Sequence, residues 1–302
     1  MNRVKGSIFI ILSAVIFGFT PILAKLSYLG GSNAIMLTFL RSFIALPVLY
    51  SILKYKRISL RITIELMKNI IILGFFGATL TTFFLYTSYN YISVGVATTI
   101  HFAYPTFVIL SCILIYKERT SVNKILSLIL ATFGVLMFLG NNEGASMIGI
   151  LLALLSAVSY AFLMVYMDKS ELKELHPIKL SFYLCIIIAS SMFIYGLITN
   201  SLTLKLTPRA WLYSLIVSLC VSVGALSLFQ LGIKYIGAST ASILSMLEPI
   251  TSIILGVIIL HENISLLKIV GSSLIVAAVI ILTREKNEEC DLNLDISYSN
   301  QN

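Results

Sequence analysis

Charge is what this sequence has least of. Of 302 residues, 11% are Asp, Glu, Lys or Arg and 58% are hydrophobic, whereas a soluble domain carries roughly 25% charged residues. So few charges cannot cover a water-facing surface, which excludes a soluble globular class and leaves an integral membrane protein. Cysteine is scarce as well. Cys112, Cys185 and Cys220 lie in apolar runs and Cys290 near the C-terminus, without paired spacing, so neither a disulfide framework nor a metal site is suggested. The three His are scattered, which argues against a zinc cluster, and no cofactor is expected. No phosphate-cradling Gly-rich loop occurs, so direct drive by ATP is not expected. The period-2 alternation of a membrane barrel is also missing.

What the sequence does have is long apolar runs. Ten of about 18 to 25 residues, each able to cross roughly 30 Å of hydrocarbon as a helix, fall near 7–26, 33–53, 69–89, 94–116, 123–140, 147–167, 179–200, 210–232, 238–260 and 266–283. The first resembles a signal peptide in having Arg3 and Lys5 before it. It is too long for one, lacks a small-residue cleavage site and matches the sixth run, Leu12-Ser13-Ala14-Val15 against Leu155-Ser156-Ala157-Val158, so it is retained as a span.

The second half repeats the first. With residues 91–139 set above 235–283 without a gap, Tyr91-Ile92, Ala97, Pro105, Glu118, Ser121, Lys124-Ile125 and Val135 fall on Tyr235-Ile236, Ala241, Pro249, Glu262, Ser265, Lys268-Ile269 and Val279. A fixed offset through so many positions marks a duplication. The unit holds five runs, an odd number, so its two copies enter the bilayer in opposite senses, as in carriers with a site between inverted repeats. The expectation is an all-α membrane protein of ten transmembrane helices in a 5+5 inverted repeat. Residues 1–142 form the first repeat, 143–284 the second, and the acidic residues 285–302 a disordered cytoplasmic tail. With the N-terminus inside, sixteen of the 21 Lys and Arg lie on the cytoplasmic side and three outside, which places both termini in the cytoplasm. The net charge of +8 is then a topology signal with affinity for anionic lipid, and calls for no nucleic-acid partner.

Few polar residues interrupt the spans, and those few are the candidates. Pro105 and Pro249 sit mid-span at equivalent positions, and each removes the backbone bond to the carbonyl four residues earlier, His101 and Ser245 respectively. Freed carbonyls in lipid need a donor, from protein, water or substrate; simple kinking for packing is the alternative. Glu248, beside Pro249, must be neutral, paired or facing water at that depth, which suits substrate or proton handling, or else an ion pair with Arg41. Arg41 suits an anionic group or a helix-pinning role. His101 and Tyr104 lie one turn apart, with Tyr104 the counterpart of Glu248, and His101 suits a proton relay or a packing bond. Tyr86, Tyr89, Asn90, Tyr91 and Gln230 gather near span ends, where interface anchoring is the simpler role and cavity lining the alternative. Glu118 and Glu262 order turns ahead of the N-cap serines Ser121 and Ser265.

The stretch from Tyr91-Ile-Ser-Val-Gly-Val-Ala through Tyr104-Pro105 to Tyr116-Lys-Glu118-Arg, its partner from Tyr235 through Glu248-Pro249 to His261-Glu262, and Phe39-Leu-Arg41-Ser-Phe together resemble the EamA-type branch of the drug/metabolite transporter superfamily. The resemblance runs to about Thr283. It implies a ten-helix carrier of the inner or plasma membrane, exporting amino acids or related small metabolites through a central cavity between the halves. His101 and the acidic tail depart from the general pattern. A family does not fix substrate or coupling ion; proton coupling is the option that Glu248 and His101 leave open. The rival classes are an intramembrane enzyme, which needs a paired acid and base or an activated nucleophile, and a non-transporting sensor.

Overall fold

An apolar chain in lipid must satisfy its backbone internally, and helices do so within one segment. The computed structural model, which describes residues 2–92, 94–137, 146–260 and 265–299, is accordingly helical, with no strand among those residues. Seven runs are long and apolar enough to cross a membrane: α1 (Arg3–Leu29), α2 (Ala34–Tyr55), α3 (Ile64–Ser88), α4 (Val96–Leu114), α6 (Met147–Lys169), α7 (Pro177–Ile198) and the 37-residue run Pro208–Leu244. The last is two helices. Gly237 sits within it at φ 74°, ψ 162°, a conformation essentially confined to glycine, so α8 comprises residues 208–236 and α9 residues 238–260. Two shorter apolar helices complete the set, α5 (Val122–Leu136) and α10, apolar over Ile269–Thr283. Fifteen residues make about 22 Å of helix. Ten helices thus occupy the positions of the expected runs, and over the described residues seven runs have spanning length and composition.

The backbone of α10 runs from Leu266 to Ser299. Glu and Lys at 285, 286, 288 and 289 are good helix formers, and no Gly or Pro stands between Thr283 and Ser299 to stop an established helix.

Helices of the two halves pair crosswise: α1 packs on α8, α3 on α6, α2 on α7 and α5 on α10. Buried Ile10, Phe229, Ile233, Met164 and Leu184 belong to one continuous core that also takes in Ala131, Val135, Ile275 and Val279 of the α5–α10 pair, while Ala45, Leu49 and Cys185 form a smaller cluster between α2 and α7. The outer surface is apolar too, with Leu12 on α1, Phe133 on α5, Leu151 and Leu155 on α6 and Val276 on α10 all exposed, which suits a lipid-facing wall.

Regular α-helix fails at matching places in the two halves. Both α3 and α8 pass through π-helical turns, Leu73–Thr79 and Ser218–Ala225. Both α4 and α9 break just ahead of their prolines, at 102–103 and 245–246, and α1 breaks at Phe19, before Pro21. A proline cannot donate and its ring crowds the preceding turn, which accounts for the last three. Wide turns leave carbonyls without their usual partners, and here side chains use them. Ser13 on α1 donates to the Ala225 carbonyl at 3.0 Å. Next to the other π segment, Thr81 donates to the Gly77 carbonyl at 2.5 Å.

Candidate functional site

The three breaks surround a cavity of about 760 Å³, within the usual range for a small-molecule pocket. It is lined by residues of α1 to α4 and α6 to α9. From the broken midpoints it runs toward Tyr28, Tyr89 and Val257, near the C-terminal ends of α1, α3 and α9. The opposite half is closed, where packing around Met167, Leu172 and Ile233 leaves a gap of about 10 Å³.

Of the residues singled out from sequence, Glu248, Pro249, Arg41, His101 and Tyr104 all line this cavity. Arg41 and Glu248 form no ion pair, although both are described residues, and the Arg41 Nε is buried without a hydrogen-bond partner. The permanent ion pair that the sequence left open is therefore not what the fold contains. Arg41 is placed by its backbone: its carbonyl accepts from Ser218 Oγ at 2.7 Å, where the π turn of α8 begins. Glu248 is placed by the close passage of α1, because a Cβ on Gly18 would stand 2.8 Å from the Glu248 carbonyl and 2.6 Å from Thr251 Cβ. Only a residue without a side chain lets the two broken helices meet there.

Ser245 and Pro105 are not brought into the cavity lining. The Ser245 hydroxyl donates to the Ala241 carbonyl at 2.9 Å, and its own carbonyl accepts from Glu248 N–H at 3.0 Å. The acceptor that Pro249 was expected to free is thus taken up locally, by a tightened i→i+3 turn. Ser245 remains a neighbour of the site through the Tyr104 hydroxyl, which lies near it but is buried without a hydrogen bond of normal length.

His101 sits in an aromatic corner. Its ring centre is 5.6 Å from that of Tyr104 and 5.4 Å from that of Tyr160, and the two tyrosines meet edge-on at 4.7 Å. Its Nδ1 is 2.9 Å from Ser156 Oγ. A Ser–His contact invites comparison with a nucleophile and its base, but Ser156 is wholly buried and its hydroxyl donates to the Ala153 carbonyl at 2.6 Å. A hydroxyl whose proton points away from the imidazole is not being activated by it.

Several lining residues were missed. Tyr28 and Tyr160 stand within electrostatic reach of Arg41, Tyr160 also of Glu248, and the hydroxyls of Thr81, Thr82 and Ser252 add polar wall. Lys25 also lines it. Pro21 is the available signal for the α1 contribution; it is a weak one because the sixth run has no matching proline. Among the span-end cluster, Tyr86 and Tyr89 line the cavity, whereas Gln230 turns to Ser181, donating at 3.0 Å, and Tyr91 is exposed.

The packed half ends in charges. Asp168, at the end of α6, is buried; its Oδ1 accepts from Lys173 at 2.7 Å and its Oδ2 from the Ala238 backbone N–H at 3.2 Å. Lys169 pairs with Glu118 at the end of α4, and Lys234 donates to Glu174 at 2.9 Å, which holds the Glu174 carboxyl below the usual carboxylate range. Ser121 caps α5, accepting from Lys124 N–H at 3.2 Å, as expected. His261 and Glu262 lie outside the described residues.

Comparison with known proteins decides the family. The sequence profile of the EamA-like transporter family matches residues 4–140 and again residues 147–284. The chain belongs to the EamA-like transporter family. Two relatives from Archaeoglobus fulgidus, each called an uncharacterized transporter, are 27% and 25% identical to it; the first alignment covers 73% of this chain and 79% of the relative, the second 93% and 97%. The uncharacterized transporter YcbK of Bacillus subtilis is 25% identical, with 88% of each chain covered. A crystal structure of a protein 16% identical superposes with a TM-score of 0.82, covering 95% of this chain and 99% of the other, which shows a shared fold. The EamA-like chain is therefore a multi-pass membrane protein of a transporter family.

Proposed function

We propose that this EamA-like chain is a secondary carrier that exports amino acids or closely related small metabolites by alternating access. The observation that carries the reading is that Arg41 and Glu248, from different halves of the chain, line one cavity without pairing with each other. An unpaired cation and carboxylate at one site suit a zwitterion, whose carboxylate meets the guanidinium fork and whose ammonium meets Glu248. The tyrosines and threonines that line the same cavity suit a small amphipathic body.

In this reading all ten helices cross the bilayer as two inverted five-helix units, 1–142 and 143–284, with residues 285–302 as a cytoplasmic tail. The crosswise pairs and the matched π turns and breaks support it, as does the profile matching twice. With both termini in the cytoplasm of a cell-membrane protein, the cavity faces outward in this conformation and the Asp168 cluster closes the inner side. Glu248 and His101 are the groups through which a proton gradient would couple. An enzymatic role is disfavoured by the direction of the Ser156 hydroxyl.

The test is counterflow of radiolabelled amino acids in vesicles containing only this protein. Exchange of a zwitterionic amino acid, inhibited when its carboxylate or its amine is blocked, is the expected result. Exchange indifferent to both blocks would discard the zwitterion reading, and stoichiometric conversion of a substrate would favour the enzyme.

A further inference from the structure

We propose that Ser156 is a positioning residue that keeps a proton on His101 Nδ1 and thereby reserves Nε2 as the hydrogen-bonding atom offered to the transported molecule. This role rests on the cavity being the substrate site.

A count of protons fixes the direction of each bond. Ser156 Oγ has one. The Ala153 carbonyl, 2.6 Å away, has none to give, so a contact that short is a hydrogen bond only if the serine donates it. With its proton committed to α6, the same oxygen can meet His101 Nδ1 at 2.9 Å only as an acceptor. Nδ1 must then carry hydrogen, in the neutral ring and in the imidazolium alike. Donation by the serine to Nδ1 would leave two oxygens 2.6 Å apart with no proton between them, inside a wholly buried site. A buried pair of acceptors is costly.

Every change of hydrogen bonding at His101 therefore falls on Nε2. Among the described residues no group bonds that nitrogen, while the ring lines the cavity between Tyr104 and Tyr160. Neutral, it accepts; the matching ligand group is a donor, an ammonium or hydroxyl hydrogen. A ligand proton moved onto the ring also arrives at Nε2, so binding and proton uptake use one atom. The other half of the chain lacks this device: the equivalent of His101 is Ser245, whose hydroxyl is spent on its own helix, and Ser13, the equivalent of Ser156, bonds the Ala225 carbonyl instead. The site is thus asymmetric where the sequence repeats.

Nitrogen-15 NMR of the full-length protein with labelled histidine reads the tautomer directly. The resonances of His176 and His261 are removed by His176→Gln and His261→Gln. Expected in the neutral ring is a protonated Nδ1 and a bare Nε2, with Ser156→Ala yielding a tautomer mixture and Ser156→Thr restoring the single form. In counterflow, Ser156→Ala should raise KM about tenfold, the loss of one good hydrogen bond, while maximal rate changes less, and threonine should rescue it. A bare Nδ1 in the wild-type protein, or a tautomer untouched by Ser156→Ala, would overturn the proposal. A correct tautomer in both backgrounds with KM unaffected by Ser156→Ala would overturn its link to the ligand. Absence of any amino-acid exchange, with the tautomer as expected, would instead count against the carrier reading alone.

Discussion

Arg41 and Glu248 line one cavity without pairing with each other, and what each would lose on substitution differs. Glu248→Gln keeps volume and one acceptor but cannot ionise. A charge-assisted hydrogen bond contributes about 1.5–3 kcal/mol, so transport per folded molecule should fall roughly 10- to 100-fold, with expression in the membrane unchanged. Unaltered transport and pH dependence in vesicles would make Glu248 a structural residue. Arg41→Lys keeps the charge and discards the planar fork. The expected outcome is a higher KM for zwitterions, with little change for an analogue lacking the carboxylate; equal effects on both would point to packing. Both residues were legible in the sequence because a charge inside an apolar run is costly and so stands out. Tyr28, Tyr160 and Thr82 were not, since aromatic and hydroxyl side chains are ordinary in spans and only the packed helices decide which way they face.

Two glycines set how the broken helices meet, and both yield tests. At Gly18 an added methyl group would collide with Thr251 and with the Glu248 carbonyl; overpacking of this kind costs about 1–3 kcal/mol, so Gly18→Ala should lower thermal stability in detergent and reduce transport by pushing α9 outward. At Gly237 the backbone itself forbids a side chain, with φ 74°, and Gly237→Ala should cost about 1–3 kcal/mol and loosen the Ala238–Asp168 bond. A melting temperature unchanged in either variant would contradict these contacts. The proline positions gave the two aligned breaks in advance, because the chemistry of a missing N–H is local. The fate of the freed carbonyl at Ser245 was not legible: whether a turn tightens to fill it or leaves it open depends on neighbours far away in sequence. The π turn of α8 had no signature for the same reason, since its Ala225 carbonyl is met by Ser13 from across the bundle. Pro249→Ala restores an N–H that competes with Glu248 N–H for the Ser245 carbonyl. It should straighten α9, raise or preserve melting temperature and depress turnover; a destabilised yet fully active variant would show that the break serves packing alone.

In the alternating access proposed above, one conformation cannot display the full symmetry of the two repeats, because a carrier with a single cavity must be open on one side and shut on the other. Here the shut side is the one bearing Asp168, which ties the end of α6 to the junction of α8 and α9 through Ala238 and to Lys173 in the link between α6 and α7. Opening that side requires α6 and the α8–α9 junction to separate, so these bonds must break, and their loss should shift the balance of states. Ser252, a lining residue on α9, reports that balance through Ser252→Cys in a protein cleared of its native cysteines. In right-side-out vesicles an impermeant thiol reagent should label the introduced thiol readily, and in inverted vesicles slowly. Asp168→Asn keeps the shape but weakens the charged bonds, by about 1.5–3 kcal/mol in a buried setting, enough to shift a two-state ratio roughly tenfold or more. Labelling at position 252 should therefore slow from outside and quicken from inside when Asp168→Asn is added. Opposite changes at the two faces distinguish a shifted equilibrium from simple loosening, which would quicken both. Labelling indifferent to Asp168→Asn would reduce the cluster to a loop anchor, and faster labelling from inside with Asp168 intact would reverse the assigned orientation of the whole bundle.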